Sequence, residues 1–587
     1  MSERDSDFRI KPGRVRSTRA PRTKSFVNQV LAAAQRAGHT SGGAPAGKAG
    51  RRLGHSTFGR GRNIFGRSRI FSPQRRVVIK ARIARHRGKA YRSAPLTSHL
   101  SYLKREGVSR DGDKGVMFDA GTDRADDLAF AERCKDDRHH FRFIVSPEDA
   151  AEMIDLKAFT RDLARQMEAD LGSRLDWIAV DHWNTDNPHV HLLVRGVDET
   201  GADLVISRDY ISRGLRSRAM DLVDIELGPK PEHEIRNALE KEITAERWTR
   251  IDGEIQRAAD ETGFIDLRPD QSGPADPELR RLMVGRLQHL KKMDLAFEGE
   301  PGQWTVGLGA ERTLRELGIR GDIIKTMHRA FAGRDQDRGF SDFVIDGGAA
   351  EAPIIGRLVD RGLHDELSGE AYAVIDGVDG RAHHVRFRDI DAFERAPANG
   401  GIVEVRRFGG PEDERPTLVL ATRSDLDLQA QVTAPGATWL DHRLVEREAM
   451  PLAQSGFAQE VRDAIHARAD HLADQGLARR DGQRIVMQRD LLTTLRRREV
   501  DAVGEKLTAE TGLPHVKAQA GEYVAGTVRQ RLTLSSGRFA MIDDRLGFQL
   551  VPWSRDLERK LGQHVAGVAK DGGGIEWAIG RKRDLGI

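Results

Sequence analysis

The sequence predicts an α+β protein in which an antiparallel sheet with flanking helices is followed by helical and small β-barrel-like modules. Two observations carry this prediction. Between residues 77 and 194, segments with the two-residue apolar alternation of strands surround one long segment with helical periodicity. From about residue 270 onward, short helices alternate with Gly-punctuated, strand-rich stretches. The 587 residues exceed what one hydrophobic core usually organises, so roughly three to five domains are expected.

Charge is distributed unevenly along the chain. The whole chain has a net charge of +5, but residues 1–90 carry 23 Lys and Arg against 3 Asp and Glu. A basic segment ahead of an acidic remainder indicates nucleic-acid phosphate as a partner. The alternative is a solvated tail that has no specific ligand. Residues 1–75 are therefore interpreted as a basic, mostly disordered arm in which only Phe26 to Arg36 has helical periodicity.

Composition also excludes several classes of protein. The single cysteine, Cys134, excludes internal disulfides and cysteine-based zinc fingers, and it is typical of a reducing cytoplasm. No apolar run approaches the ~18 residues of a membrane span. Ser2 to Asp7 is polar and acidic, and no apolar segment follows it, so we expect no signal peptide and a cytoplasmic location.

The elements of the first sheet follow in chain order. Val77 to Ile83 is predicted as the first strand, and His140 to Val145 alternates as a second strand that Pro147 ends. Asp155 to Leu171 is an amphipathic helix. Two further strands follow it. This order predicts an antiparallel sheet with helices on one side, which leaves the other face open for a site.

Three histidines lie on the last two strands. His189 and His191 are one residue apart, so on a strand both side chains leave the same face. The turn residues Asp186-Asn187-Pro188 predict a tight connection that brings His182 over this pair. Converging imidazoles without a nearby cysteine indicate an open divalent-metal site, for Mn²⁺ by affinity or Mg²⁺ by abundance. The alternative is a set of polar residues on the open face of a sheet.

Two carboxylates lie close to these histidines in the sequence. Asp181 or Asp186 could accept a hydrogen bond from a ligand histidine and so orient its ring. For Asp186, a solvent-exposed turn position is the alternative.

One of only five tyrosines in the chain lies on a short helix upstream of these strands. Residues 94–107 predict a helix that Thr97 or Ser98 caps and that Gly107 ends. Tyr102 lies on this helix beside two basic residues, Lys104 and Arg105. Taken alone, a tyrosine in such a position usually serves packing.

A basic helix follows the histidine strands. Ser207 to Leu227 is predicted as a helix with Tyr210 in its first turn. A basic helix beside the histidine strands could bind a DNA backbone, and a solvated helix face is the alternative. Its arginines are Arg208, Arg213, Arg216 and Arg218.

The C-terminal half contains a weak internal duplication. A pattern of helix, short hairpin and helix that begins at His289-Leu290 recurs about 180 residues later at His471-Leu472, and it resembles a winged-helix unit. Ser368 to Asp376 recurs as Ser536 to Asp543 in strand-rich surroundings that suggest a small β-barrel. Chance similarity is the alternative to duplication. The predicted segments are a basic arm 1–75, a sheet domain 76–230, a helical linker 231–275, a winged-helix-like and small β module 276–410, a linker 411–455, and a second such module 456–587.

Three motifs together resemble a known family. His-Leu-Ser-Tyr-Leu-Lys-Arg-Glu-Gly (99–107) is similar to the nucleophile motif of relaxases, the mobilisation nucleases of the HUH superfamily. The strand 140–147 and the spacing His182-x6-His189-x-His191 within Asp-Asn-Pro-His-Val-His match the same branch, which includes conjugative-plasmid relaxases and the T-DNA border nuclease. The resemblance covers about residues 75–230. It departs from the family in one respect: relaxase nucleophiles usually lie near the start of the chain, so the arm is an added element or the true start lies downstream of Met1.

The resemblance implies a fold of the HUH type, a function and a set of partners. Tyr102 would be the nucleophile that nicks single-stranded DNA at a plasmid transfer origin, and His182, His189 and His191 would hold the divalent metal. The implied partners are single-stranded and duplex DNA at that origin, relaxosome accessory proteins and a type IV secretion coupling protein. The bacterial protein would act in the cytoplasm and could be translocated with the DNA.

Three alternatives remain open at this point. A rolling-circle replication initiator or a single-strand transposase belongs to the same superfamily. A DNA-binding scaffold without catalysis would form no covalent adduct with any metal. A metal hydrolase of small substrates is disfavoured by the basic arm and by the lack of a nearby carboxylate ligand.

Overall fold

The computed structural model describes most of the chain after residue 68. The described residues are 69–85, 94–185, 187–269, 276–332, 342–345, 352–393, 395–409, 417–447, 451–482, 484–570 and 574–578. The chain divides into two compact units, residues 1–318 and residues 319–587. The predicted helix at Phe26 to Arg36 lies outside the described residues. The mixture of helices and antiparallel sheets confirms the α+β class.

A four-stranded antiparallel sheet forms the first part of unit one. Its strands are β1 (Val77–Arg85), β2 (His139–Pro147), β3 (Trp177–His182) and β4 (His189–Arg195). They lie in the order β1-β2-β4-β3, and all neighbours are antiparallel. The four predicted strands are therefore confirmed, and β3 and β4 form a hairpin.

Helices pack on both faces of this sheet. One face carries Phe141, Phe143 and Leu192 and packs against α3 and α4. The other carries Ile178, Val180 and Leu193 and packs against α1 and α2. The expectation of helices on one side only is wrong, because β3 and β4 are apolar at both alternating positions and need cover on both faces. The helices are α1 (Ala94–Leu103), α2 (Asp127–Arg133), α3 (Leu156–Leu171) and α4 (Leu215–Leu227).

The ends of these helices have local causes. Asp155 caps α3 by accepting hydrogen bonds from two backbone amides, and Gly172 ends it in the left-handed conformation with φ of 68°. Thr97 and Ser98 lie inside α1 and not at its start. α4 follows a single π-helical turn at Tyr210–Gly214.

A second core in unit one is built from three helices and three short strands. Two short helices, α5 (Glu232–Ile243) and α6 (Arg250–Ala258), precede β5 (Phe264–Asp266) and α7 (Pro277–Lys292). The hairpin of β6 (Ala296–Glu298) and β7 (Gln303–Val306) then completes a sheet in the order β5-β7-β6. One apolar cluster joins all of them, so the segment predicted as a linker at 231–275 lies in this core.

The start of the described chain also belongs to this core. Ile70 and Phe71 are buried in the cluster of α5 to α7. Arg75 is buried as well, and its guanidinium donates to Asp149 at 2.8 Å. The folded part therefore begins by residue 69, inside the segment assigned to the arm.

Unit two begins within the long helix α8 (Ala310–Phe331) and continues into a six-stranded sheet. The strand order is β13-β12-β9-β10-β11-β8. The strands are β8 (Phe343–Ile345), β9 (Ile354–Asp365), β10 (Glu370–Gly377), β11 (Ala382–Phe387), β12 (Ile402–Phe408) and β13 (Thr417–Ser424).

The rest of unit two has four helices, a hairpin and a second sheet. The helices are α9 (Leu428–Thr433), α10 (Trp439–Val445), α11 (Phe457–Asp474) and α12 (Leu491–Thr511). The hairpin is β14 (Ala478–Asp481) with β15 (Arg484–Met487), and the sheet has the order β18-β17-β16-β19-β20. Its strands are β16 (Tyr523–Leu534), β17 (Gly537–Asp543), β18 (Phe548–Pro552), β19 (His564–Ala569) and β20 (Ile575–Trp577).

A buried arginine occurs in equivalent places in the two units. Arg286 on α7 is 0% exposed, pairs with Asp252 at 2.8 Å, and donates to the backbone oxygens of Ala245 and Arg247. α7 is the third helix after α5 and α6, and Arg286 on it bonds to the turn between those two helices. In unit two the corresponding residues are Arg468, Asp441, Ala434 and Gly436.

The aspartate of each pair also serves a capping box. Thr249 and Asp252 cap α6 reciprocally, and Thr438 and Asp441 cap α10 in the same way. The five strands β9 to β13 pair in the same order as β16 to β20, and the first strand of each set has a bulge. Both segments of the sequence duplication therefore adopt the same succession of elements.

No helix among the described residues has the length and apolar character needed to cross a membrane.

Candidate metal centre

The β3–β4 hairpin brings the three histidines together. His182 is the last residue of β3, and it lies directly opposite His189, the first residue of β4. His191 lies opposite Val180, on the same face as the other two because the alternation repeats every two residues. The three side chains are 0%, 7% and 2% exposed, respectively. The predicted convergence is therefore present.

The distances between the ring nitrogens suit one bound cation. The ligand nitrogens of the three histidines lie within 4.8 Å of one another. Nε2 of His189 is 3.2 Å from Nε2 of His191. Two nitrogens that each lie about 2.1 Å from one ion are separated by about 3 Å when the angle at the ion is near 90°. The donor set therefore fits a divalent transition metal, and neutral imidazoles leave further coordination positions for other ligands.

Backbone carbonyl groups orient two of the rings. Nε2 of His182 donates to the carbonyl oxygen of Leu103 at 2.8 Å, which leaves Nδ1 as the nitrogen with a lone pair. Nδ1 of His189 donates to the carbonyl oxygen of Asn187 at 3.0 Å, which leaves Nε2 for a metal. These carbonyls therefore orient the histidine rings, a role that was expected of the Asp181 or Asp186 carboxylate.

Asp181 does not bond to a histidine. Its carboxylate accepts a hydrogen bond from Nε1 of Trp183 at 2.6 Å. The reason is the strand alternation itself, since Asp181 and His182 are neighbours and point to opposite faces of β3. Asp186 lies outside the described residues.

The helix that carries Tyr102 ends against the histidines. Tyr102 lies in the last turn of α1, one residue before the Leu103 carbonyl that accepts from His182. Its ring is partly buried against the apolar cluster under α1. The guanidinium of Arg105 lies 4.3 Å from the centre of the ring, a cation–π contact that holds the ring in place. The structure therefore places Tyr102 next in the chain to a residue that contacts one of the predicted metal ligands.

The two predicted basic residues beside Tyr102 have different surroundings. Nζ of Lys104 forms an ion pair with Asp127 of α2 at 2.6 Å, and both side chains are largely buried. Lys104 therefore stabilises the α1–α2 pair. Arg105 stacks on Tyr102 and remains partly exposed beside it.

The other tyrosines have different environments. The Tyr210 hydroxyl donates to Asp170 at 3.0 Å, and burial together with the Asp170 charge raises the pKa of this phenol well above its usual value. Tyr210 also packs on the sheet face opposite the histidines. Tyr372 and Tyr523 lie in unit two, and Tyr91 lies outside the described residues.

The arginines of the basic helix lie on the other side of the sheet from the histidines. α4 buries its apolar side in the cluster formed with α3, on the face that the histidines do not share. Arg218 pairs with Asp170 at 2.8 Å, and Arg213 pairs with Asp209 at 2.8 Å. Arg208 and Arg216 are exposed. The structure does not bring any of these four to the metal centre.

A second cation stacks on an aromatic ring near the histidines, and no pattern in the sequence predicted it. The guanidinium of Arg110 lies 4.7 Å from the ring centre of Trp183, the residue that follows His182. The amide of Trp183 donates to the carbonyl oxygen of Val108 at 2.8 Å, which fixes this loop beside β3. No local pattern signals such a contact, because it joins a loop to the end of a strand.

Comparisons with known proteins leave this centre without a match. Neither a search of curated proteins nor a search of solved structures finds a protein that matches the chain. One family model matches, over residues 283–416 and 412–586, and neither segment includes Tyr102 or the histidines. Because these segments together cover more than half of the 587 residues, the chain belongs to the family described as Protein of unknown function (DUF3363).

Proposed function

We propose that this protein is a metal-dependent DNA strand transferase of the relaxase type, which nicks single-stranded DNA at a plasmid transfer origin. The observation that supports it most is the contact between α1 and the histidines. Nε2 of His182 donates to the carbonyl of Leu103, so the end of the helix that carries Tyr102 contacts one of the three histidines. A hydrolase of small substrates would not require a tyrosine at this point.

His182, His189 and His191 would hold the cation in this proposal. A divalent ion bound there, Mn²⁺ or Mg²⁺, would polarise a non-bridging phosphate oxygen and hold the scissile bond in line. The Leu103 and Asn187 carbonyls keep the ligand nitrogens of His182 and His189 turned toward one point before any ligand arrives.

The proposed chemistry of Tyr102 is transesterification. Its hydroxyl oxygen loses its proton and forms a bond to phosphorus, while the bond from phosphorus to the 3′-oxygen breaks. The departing 3′-oxygen takes up a proton and becomes a free 3′-OH. The product is a 5′-phosphotyrosyl enzyme that keeps the energy of the phosphodiester, so the strand can be rejoined. Tyr102 is better placed than Tyr210, whose raised pKa and Asp170 hydrogen bond disfavour a phenolate.

The finer fold assignment belongs to the same proposal. The order β1-β2-β4-β3 with the histidine pair on β4 supports an HUH-type sheet. Helices α5 to α7 with the β6–β7 hairpin support a winged-helix-like module, and α9 to α11 with β14 and β15 support a second one. Strands β9 to β13 and β16 to β20 support two copies of a small β-barrel.

The partners proposed for this function are those of DNA mobilisation. They are single-stranded and duplex DNA at the transfer origin, relaxosome accessory proteins and a type IV secretion coupling protein. The protein would act in the bacterial cytoplasm and accompany the DNA into the recipient. The family match covers residues 283–416 and 412–586, which are the C-terminal modules, and it does not include Tyr102 or the histidines.

Metal-dependent cleavage tests the proposal. The full chain is incubated with a pool of single-stranded oligonucleotides and Mn²⁺, and products are separated on a denaturing gel. We expect cleavage that EDTA abolishes and that His189→Ala loses, while the control Asp181→Asn keeps it because Asp181 faces away from the site. Undiminished cleavage in EDTA would exclude the metal. Binding without cleavage under any metal would favour a non-catalytic scaffold.

A further inference from the structure

We propose that single-stranded DNA reaches the metal centre along the part of the sheet formed by β1 and β2, on the same face as the three histidines of β3 and β4. Lys80 and Arg82 would be its phosphate contacts. This inference rests on the proposed function and names the path of its substrate. In this proposal β1, and not the basic helix α4, binds the DNA backbone, because α4 lies on the other side of the sheet.

Strand register places these cations in line with the histidines. Lys80 lies opposite Ile144 of β2, and Ile144 lies opposite His191 of β4. Neighbouring strands are about 4.8 Å apart, so the Lys80 backbone lies about 10 Å from that of His191. Arg82 lies on the same face, two residues farther along β1. Lys80 is therefore level with His191, and both cations lie on β1, an edge strand of the sheet that the described residues form.

This face of the described strands has cations but no carboxylates. None of the alternate residues that share the histidine face of β1 to β4 is Asp or Glu. Among the described residues, none forms an ion pair or a hydrogen bond with the side chain of Lys80 or Arg82. Both are exposed, whereas α1 and α2 cover the β3 and β4 half of the face.

A repulsive pair on this face supports an anionic ligand. Arg82 lies directly across from Arg142 of β2. Like charges directly opposite on neighbouring strands are destabilising. Burial, and then the charge of Arg82, lower the pKa of Arg142 to about 10. The protein keeps this unfavourable pair without a carboxylate on the face to offset it, and a bound phosphate would offset it.

Apolar residues next to the cations favour a single strand over a duplex. Val78 is 52% exposed on the same face, and Ile144 is half-buried between Lys80 and His191. Unstacked bases pack on such apolar surface, whereas the bases of a duplex are not available to it. The track is therefore suited to phosphates beside Lys80 and Arg82, with bases over Val78.

Equilibrium binding without metal tests this track. Binding of a fluorescent oligo(dT) to the full chain is measured in EDTA over a range of salt concentrations. For Lys80→Gln with Arg82→Gln we expect roughly tenfold weaker binding at 0.15 M salt and a salt slope smaller by about 1.4, since each lost single-strand phosphate contact removes about 0.7. The matched control is Arg213→Gln with Arg216→Gln, which removes the same charge from the opposite side of the sheet.

The possible outcomes separate this inference from the proposed function. Equal losses in both double variants, or an unchanged slope in the β1 variant, would overturn the track. Lys80→Arg should keep the salt slope of the unchanged protein, because the positive charge remains. Arg82→Gln should leave the melting temperature unchanged or raise it, because it removes the repulsion with Arg142. A lower melting temperature for Arg82→Gln would assign it a structural role instead. The assay needs no cleavage, so a failure to nick DNA would not change its result.

Discussion

Two histidines of the candidate metal centre each keep one ring nitrogen available for a ligand, because the other ring nitrogen donates to a backbone carbonyl. His182 uses the Leu103 carbonyl and His189 uses the Asn187 carbonyl. We therefore expect Mn²⁺ to raise the melting temperature of the protein, since a ligand of the native state stabilises it by mass action. His189→Ala should lose most of that shift, and Asp181→Asn should keep it. Equal shifts in both variants would place the metal elsewhere.

Cys134 provides a second test at the residue scale. It is buried beneath α1 and α2, and burial raises the pKa of its thiol to about 12. Only a very small fraction is thiolate at pH 8, so iodoacetamide should not label the native protein. The same reagent should label the chain in urea. Native labelling as fast as in urea would show that the α1–α2 cover opens readily.

The convergence of the three histidines was more predictable from sequence than the groups that orient their rings. The spacing of His189 and His191 on a strand, with a turn before them, was sufficient to predict the convergence. The Leu103 carbonyl could not be predicted, because it comes from a helix 79 residues away. Asp181 was a wrong candidate for orienting a histidine, and the alternation that placed the histidines together already excluded it.

The groups α5 to α7 and α9 to α11 each depend on one buried ion pair. Arg286 with Asp252 and Arg468 with Asp441 are almost fully buried, and each arginine also bonds to backbone carbonyls. Removing one partner leaves the other charge buried, which typically costs about 3–5 kcal/mol. Asp252→Ala and Asp441→Ala should each lower the free energy of unfolding by this amount in urea titrations. The control Glu261→Ala, at an exposed position with no side-chain hydrogen bond or ion pair among the described residues, should change it little, and comparable losses in all three would contradict this role.

Strands were more predictable from sequence than the covering helices. All four strands of the first sheet follow from alternation and turn residues. The helix at 94–107 was predicted, but its place over the second face of the sheet was not, because α1 is short and its apolar positions give no strong periodicity. The helix α2, which shares that face, was not predicted. The segments predicted as linkers at 231–275 and 411–455 contain helices of the two ion-paired groups, although both capping boxes, Thr249 to Asp252 and Thr438 to Asp441, are visible in the sequence.

The whole molecule combines a basic N-terminal segment with the folded units. Residues 1–68 carry 15 Lys and Arg against 3 Asp and Glu. Deleting them should weaken DNA binding and reduce its salt dependence, because fewer counterions are released from the DNA. The deletion leaves Ile70 and Phe71, which belong to a core, so the melting temperature should change little. An unchanged salt slope would show that residues 1–68 do not contact DNA phosphates.

The repeated succession of elements bears on the history of the C-terminal half. The buried Arg–Asp pair, the capping box and the strand order recur together in the two copies. Separate origin would require each of these to arise twice, so we infer one ancestral unit that was copied. In each copy a long helix, α8 or α12, packs on one face of the strands that follow it, which leaves less of each sheet for a ligand.

Mapping a covalent DNA adduct would identify the nucleophile and distinguish the relaxase chemistry from DNA binding alone. The full chain is incubated with single-stranded oligonucleotides from a candidate transfer origin and Mn²⁺, and the shifted band is digested for peptide mass mapping. We predict a nucleotide attached to the peptide that contains Tyr102, an adduct that Tyr102→Phe abolishes while DNA binding remains and that Tyr210→Phe keeps. An adduct on Tyr91 or Tyr210 would contradict the assignment of the nucleophile. Tight binding without an adduct for any oligonucleotide in a diverse pool would contradict the relaxase chemistry itself.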